Sequence, residues 1–157
     1  MIRFCALAVP LFALAGCGED FIPNTDVEDT EENREIIEFC EEYRIALEAR
    51  DVAKLVLLAS ADYYEDGGSP PGEDDYDRLG LQEMLRTRFA RVEAVRYDIR
   101  YRRVVFFPER VEVYYSFYGR FQVAAAADGE SRWFSKVADN RLVLGRTPDG
   151  YKILSGL

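Results

Sequence analysis

The spacing of apolar residues changes once along this chain, and the change divides it into a helical part and a strand part. Before residue 94, apolar residues recur every three or four positions, which is typical of helices that bury one face. From Ala94 onward they alternate with polar residues, as in strands with one buried face. Helices followed by strands predict an α+β domain, in which three helices pack on one face of a strongly curved antiparallel sheet.

The three helices are predicted over about residues 31–50, 51–64 and 78–93. Asp51 follows the first helix without a spare loop, so it is predicted to cap the second helix and to form a tight corner. Segment 65–77 is rich in Gly, Pro and acidic residues, which predicts a solvated loop. Its acids lack the spacing of a helix–loop–helix calcium site, and no metal is predicted.

Four strands are predicted in the second part. The first strand alternates until Arg102, where a slip in the pattern predicts a β-bulge. The others are predicted over residues 111–123, 132–146 and 151–155, with short turns between them. Short turns between long strands indicate an antiparallel meander.

The first residues resemble the signal of a bacterial lipoprotein. Arg3 precedes an uncharged segment, 4–15, which as a helix would rise about 18 Å against the ~30 Å hydrocarbon core of a bilayer. A short apolar run behind a basic start is typical of a signal peptide. It ends in the letters LAGC at 14–17, similar to a lipobox, and the resemblance implies cleavage after Gly16 and a lipid on Cys17. The alternative is an ordinary signal peptide that contains a cysteine.

These features predict an envelope protein anchored to a membrane by its lipid, with its domain outside the cytoplasm, in the periplasm. The predicted divisions are a signal peptide at 1–16, a lipidated cysteine with a flexible acidic tether at 17–30, and a folded domain at 31–157. The acidic tether would be repelled by anionic headgroups, so the domain is expected to stand off the bilayer. Cys40 lies on the apolar stripe of the first helix and is predicted to be buried and inert.

Composition excludes several classes of function. The chain has 29 acidic and 20 basic residues, a net charge of −9, and no basic stripe, so nucleic acid is not an expected partner. It contains no histidine, which excludes histidine-based triads and imidazole zinc sites. No cofactor is predicted.

The first helix pair and the last hairpin resemble nuclear transport factor 2-like domains. Segment 43–58 carries an aromatic residue, Ala-Leu, an Arg-Asp corner and a second helix in the order that these domains show, and 141–154 resembles their final hairpin. The resemblance implies a cystatin-like cone, a bent sheet wrapped around helices with an apolar cavity at its wide end. The family contains both enzymes and non-catalytic scaffolds, so function has to be argued from the site.

The resemblance also implies two candidate catalytic residues. Ketosteroid isomerase-like members place a tyrosine of helix one opposite a carboxylate base just after helix two. Tyr43 matches the first position, and Glu65 or Asp66 falls near the second. Burial would raise the pKa of such a carboxyl toward neutral pH. The alternative is that Tyr43 is a core residue and Asp66 a solvated loop charge.

An aromatic stripe on the predicted inner sheet face either lines a pocket for a flat apolar ligand or simply fills the core. The candidate lining residues are Tyr43, Leu47, Phe89, Tyr97, Tyr115, Phe117 and Trp133. Tyr114 and Tyr118 are predicted on the outer face with Arg120, a composition that suits a homodimer interface.

Three functions are compatible with these patterns. The first is a membrane-anchored binding or assembly module without catalysis, the second an isomerase- or cyclase-type enzyme using Tyr43 and Asp66, and the third a structural subunit of an envelope complex. We favour the first, because the chain has no histidine to act as a base. In addition, a flexible acidic loop is expected to leave Asp66 solvated.

Overall fold

The structure, a computed structural model, describes residues 20–67, 74–125 and 129–157. Within them the chain forms helices and strands in the order α1 (Glu31–Glu48), α2 (Val52–Leu58), β1 (Tyr64–Glu65), β2 (Tyr76–Asp77), α3 (Arg78–Phe89), β3 (Val92–Phe106), β4 (Arg110–Val123), β5 (Arg132–Thr147) and β6 (Gly150–Ser155). The predicted α+β class is confirmed. The predicted signal peptide and Cys17 lie outside the described residues.

Side chains at the helix starts determine where the first two helices begin. The Thr30 hydroxyl accepts a hydrogen bond from the Asn33 N–H at 3.1 Å, and the Asp51 carboxylate accepts one from the Lys54 N–H at 2.9 Å. Caps of this kind contribute about 1 kcal/mol each. Arg50 adopts a left-handed conformation with φ of 56°, which turns the chain between α1 and α2. The predicted corner and the cap by Asp51 are therefore confirmed.

The segment after α2 differs from its prediction. The helix ends at Leu58 rather than near residue 64, because Ala59 becomes extended and forms a bridge with Ile153 of β6. The Ser60 N–H then donates to the Ile153 carbonyl at 2.8 Å. The prediction of a loop over residues 65–77 is wrong at both ends. There Tyr64–Glu65 and Tyr76–Asp77 pair as the two short strands β1 and β2. Strands of two residues are too short to produce a visible alternation.

The main sheet is the predicted antiparallel meander, in the order β3-β4-β5-β6. Its register shifts between Tyr101 and Arg103, where the bulge was predicted, and again between Val143 and Leu144. Apolar residues of its inner face are buried against α1, α2 and α3. Cys40 is fully buried in this core, and burial raises the pKa of its thiol, which agrees with an inert cysteine.

Residues 20–30 are part of the domain, so the prediction of a flexible tether is wrong for this stretch. Val27 is buried, and the Asp26 N–H donates to the Tyr101 carbonyl at 2.9 Å. Hydrogen bonds from Arg100 and Arg102 lower the pKa of Asp26 to about 2. Asp26 therefore pairs with arginines on the edge strand β3, and Asp29 pairs with Arg34 of α1, so these two acidic side chains are not simply solvated charges.

Candidate functional site

An open cleft of about 660 Å³ lies where the end of α1 and the helix α3 face the inner side of β4 and β5. Its volume is within the range of small-molecule sites. The wall is mainly apolar and consists of Leu47, Met84, Leu85, Phe89, Val92, Phe117, Phe121, Val123, Phe134, Ala138 and Leu157.

Small residues between large ones give the cleft its room. In the register of β4 and β5, Phe117 faces Ala138, and Phe121 faces Phe134. Gly119 lies between the two phenylalanines of β4, and a Cβ there would come within 2.8 Å of the Phe121 ring. The alternation of aromatic and small side chains on one sheet face therefore forms a cleft, whereas uniformly large residues would have filled it.

Buried tyrosines form the floor of the cleft. The hydroxyl of Tyr43 interacts with those of Tyr97 and Tyr115, and the Tyr115 hydroxyl accepts a hydrogen bond from Asn140 Nδ2 at 3.0 Å. The Tyr97 ring stacks on Phe117 with 4.9 Å between centroids. Burial raises the pKa of all three hydroxyls, of Tyr43 most clearly. At neutral pH they therefore remain protonated and act as hydrogen-bonding groups rather than as bases.

Comparison with known proteins gives similarity in structure alone. No family model matches the sequence, and no curated protein is similar to it. A solved protein from Kribbella flavida is 21% identical, with 82% of this chain and 90% of that one covered and a TM-score of 0.66. A proposed dehydratase from the nuclear transport factor 2-like family of Streptomyces avermitilis is 16% identical, with 79% and 92% covered and a TM-score of 0.64. This chain has the nuclear transport factor 2-like fold.

A third solved structure supports the same assignment. A ketosteroid isomerase-like protein from Erwinia carotovora atroseptica is 18% identical, with 80% of this chain and 93% of that one covered, and a TM-score of 0.63. At these identities the likeness concerns the fold alone, and the activity of this domain has to be argued from its own residues.

The structure does not bring the two candidate catalytic residues together. Tyr43 lies at the floor of the cleft, whereas Asp66 is exposed beside the β1–β2 ladder and is not among the lining residues. Glu65 has a structural role, because its carboxylate accepts hydrogen bonds from the Tyr63 hydroxyl at 3.0 Å and the Gly156 N–H at 2.6 Å. Among the described residues that line the cleft, Asp139 has the one acidic side chain.

Five of the seven candidate lining residues are in the wall or floor, namely Tyr43, Leu47, Phe89, Tyr97 and Phe117. Tyr115 is buried beneath them. The prediction that Trp133 faces inward is wrong: Trp133 pairs with Gln122 on the outer face and is 50% exposed, and Phe134 takes the inward position opposite Phe121. The first half of β5 is exposed on both faces, so its sequence alternation carries no signal of direction.

Sequence reasoning also missed three cations of the lining, Arg88, Arg91 and Lys136. Arg88 belongs to the last turn of α3, and Arg91 lies two residues after the end of that helix. Lys136 lies on β5 opposite Gly119. Lys136 shares a sheet face with Phe134, but the alternation in this part of β5 does not show which face is inward, so no sequence signal placed Lys136 in the lining.

The described residues hold no group of three or more His, Cys, Asp or Glu side chains that could bind a metal ion. Nor does any helix in the described ranges have the length and hydrophobicity needed to cross a membrane.

Proposed function

We propose that this domain binds a small apolar ligand in its cleft and does not catalyse a reaction on it. The observation that supports this most strongly is an apolar, aromatic cleft in which no acidic side chain among the described lining residues is buried beside the tyrosine hydroxyls. Pockets that bind small molecules are mostly apolar, with a few polar groups that orient the ligand. Tyr43 and Tyr97 supply such groups here.

An isomerase- or cyclase-type enzyme is the second candidate, favoured by the fold shared with a ketosteroid isomerase-like protein and a proposed dehydratase. Such chemistry needs a base close to the donor. Asp139 is exposed and accepts a hydrogen bond from the Ser116 hydroxyl at 2.6 Å. In the register of β4 and β5 this pair shares the outer face with Tyr118 and Val137, so its carboxylate does not face the buried tyrosine hydroxyls. A structural subunit of an envelope complex is the third candidate.

Purified protein in detergent-free buffer provides the test. The uncharged dye phenylnaphthylamine becomes fluorescent when it moves from water into an apolar site. We expect saturable binding with one site per chain, because the cleft combines a mainly apolar wall with the volume of a small-molecule site. A signal that rises linearly with dye and never saturates would contradict the proposal.

We also propose that a lipid on Cys17 anchors the domain with its cleft facing away from the membrane. Cys17 is three residues before Asp20, a distance of at most about 10 Å. The Asp20 carbonyl accepts from the Asp29 N–H at 2.6 Å, which holds it beside the start of α1. The 18 residues of α1 span about 27 Å. Because Tyr43 and Leu47 lie near the other end of α1, the cleft would open far from the bilayer.

Replacement of the proposed acylated cysteine tests the anchor. Cys17→Ser is expected to move the protein from the membrane fraction to the soluble fraction and to abolish incorporation of labelled lipid, because the thioether requires the sulfur. Cys5→Ser, a change within the same leader, is the matched control and should leave both readouts unchanged. Labelled lipid on the Cys17→Ser protein would refute the anchor.

We further propose that the outer sheet face is a homodimer interface. Tyr118, Trp133 and Val137 are 42%, 50% and 73% exposed on neighbouring strands, and Val137 faces Tyr118 in the register. Adjacent exposed aromatic and aliphatic side chains are typical of interaction surfaces.

Sedimentation velocity tests this interface. The protein is expected to sediment as a dimer, and Val137→Glu is expected to convert it to a monomer by placing a charge in the apolar contact. Leu57→Glu, at a residue 58% exposed on the helical side, should remain dimeric. A monomeric parent protein, or equal effects of both variants, would contradict the proposal.

A further inference from the structure

The cleft contains more positive than negative charge, which is unusual in an acidic chain. Its lining includes Arg88, Arg91 and Lys136, with Asp139 as the one acidic side chain among the described lining residues. The whole chain carries 29 acidic and 20 basic residues. From this arrangement we infer that the ligand of the cleft is an amphipathic organic anion, an apolar body bearing a carboxylate or sulfonate. The inference rests on the binding function proposed above.

Among the described residues the three cations have no acidic partner, a property they share with several other basic residues on the surface of the domain. Some arginines elsewhere do form ion pairs, for example Arg44 with Glu41 at 2.7 Å and Arg110 with Glu112 at 2.9 Å. Within the described ranges, Arg88, Arg91 and Lys136 take part in no ion pair. The positive charges at the cleft are therefore available to a ligand.

The position of Lys136 makes this charge relevant to whatever fills the cleft. Lys136 lies on the inner face of β5 between Phe134 and Ala138, and its ammonium is 5.9 Å from the centre of the Phe117 ring. An uncharged apolar ligand would remove water from this ammonium without replacing the lost hydrogen bonds, which is unfavourable. A ligand with an anionic group would replace them with charge-assisted hydrogen bonds.

The arrangement also orients the ligand. Arg88, Arg91 and Lys136 are exposed, whereas Tyr43, Tyr97 and Phe117 are buried beneath them. The apolar body therefore lies against the aromatic floor, and the anionic group lies among the cations at the rim. An inorganic anion has no apolar body to contact the aromatic residues. The apolar wall and the cations together therefore favour an organic anion.

Two dyes that differ by one charged group test the inference. Anilinonaphthalene sulfonate carries a sulfonate that phenylnaphthylamine lacks, and both fluoresce in apolar sites. We expect the sulfonate to bind about tenfold more tightly at low ionic strength, and the difference to shrink at high salt because the charges are exposed. Equal affinities, or tighter binding of the uncharged dye, would overturn the inference while leaving the proposed function intact. Failure of both dyes to bind would overturn the proposed function itself.

A pair of lysine variants tests the assignment to the cleft. Lys136→Gln is expected to weaken sulfonate binding several times more than it weakens phenylnaphthylamine binding. Lys152→Gln removes the same charge from β6, where the ammonium donates to the Leu57 carbonyl, and should leave the preference unchanged. If both variants reduced the preference equally, the effect would come from net charge, and the inferred anion site would be wrong.

Discussion

Ile153→Ala is expected to lower the free energy of unfolding by about 2–5 kcal/mol. Ile153 is fully buried, faces Leu144 in the β5–β6 register and forms a bridge with Ala59 at the end of α2. The substitution removes apolar contacts on both sides of the point where the helices join the sheet. Because the backbone on both sides is held by hydrogen bonds, the space left behind cannot collapse fully.

Urea unfolding of the parent and two variants provides the measurement. Leu79→Ala is the control, since Leu79 is an aliphatic residue 75% exposed on α3 and its truncation should change stability by no more than about 0.5 kcal/mol. Similar midpoints for Ile153→Ala and the parent would show that the helix–sheet junction does not depend on this side chain.

The features that could be predicted from the sequence are those set by nearby residues. The corner between α1 and α2 follows from Asp51, whose carboxylate bonds the backbone three residues later. The bulge at Arg102 follows from a local slip in the alternation. The meander follows from strands joined by short turns. Each of these needs information from only a few consecutive residues.

Features that depend on distant partners could not be predicted in this way. Residues 20–30 have the composition of a solvated tether, and only the positions of Arg100 and Arg102 on β3 show that Asp26 is held. Likewise, β1 and β2 are two residues long and exist because they meet each other. Composition indicates the conformation that a segment prefers in isolation. The conformations of these segments are instead set by tertiary contacts with residues distant in sequence.

In the candidate site too, some residues could be placed from the local sequence pattern and others could not. Tyr97 and Phe117 could be placed in the lining because helices cover the regularly alternating strands on which they lie. The direction of Trp133 could not be derived, since residues 132–137 are exposed on both sides and both faces carry apolar side chains. The pairing of Tyr43 with Asp66 depended on a family resemblance, and Asp66 is not among the described residues that line the cleft.

Ala138→Trp is expected to weaken phenylnaphthylamine binding by more than tenfold, a loss of at least about 1.4 kcal/mol. Ala138 lies in the cleft wall opposite Phe117, where the small side chain leaves space. An indole at this position would occupy the volume that the ligand needs. Because the cleft is open, the added ring has room to extend into it, and we expect the variant to remain folded.

The neighbouring residue provides the matched control. Val137→Trp introduces the same indole one residue earlier on β5, where the side chain points to the outer face and is 73% exposed. It should bind phenylnaphthylamine like the parent. Circular dichroism and urea unfolding of both variants would show whether the fold is retained. If both folded variants bound the dye equally well, the ligand would have to lie outside the cleft, because a side chain filling that space would have made no difference.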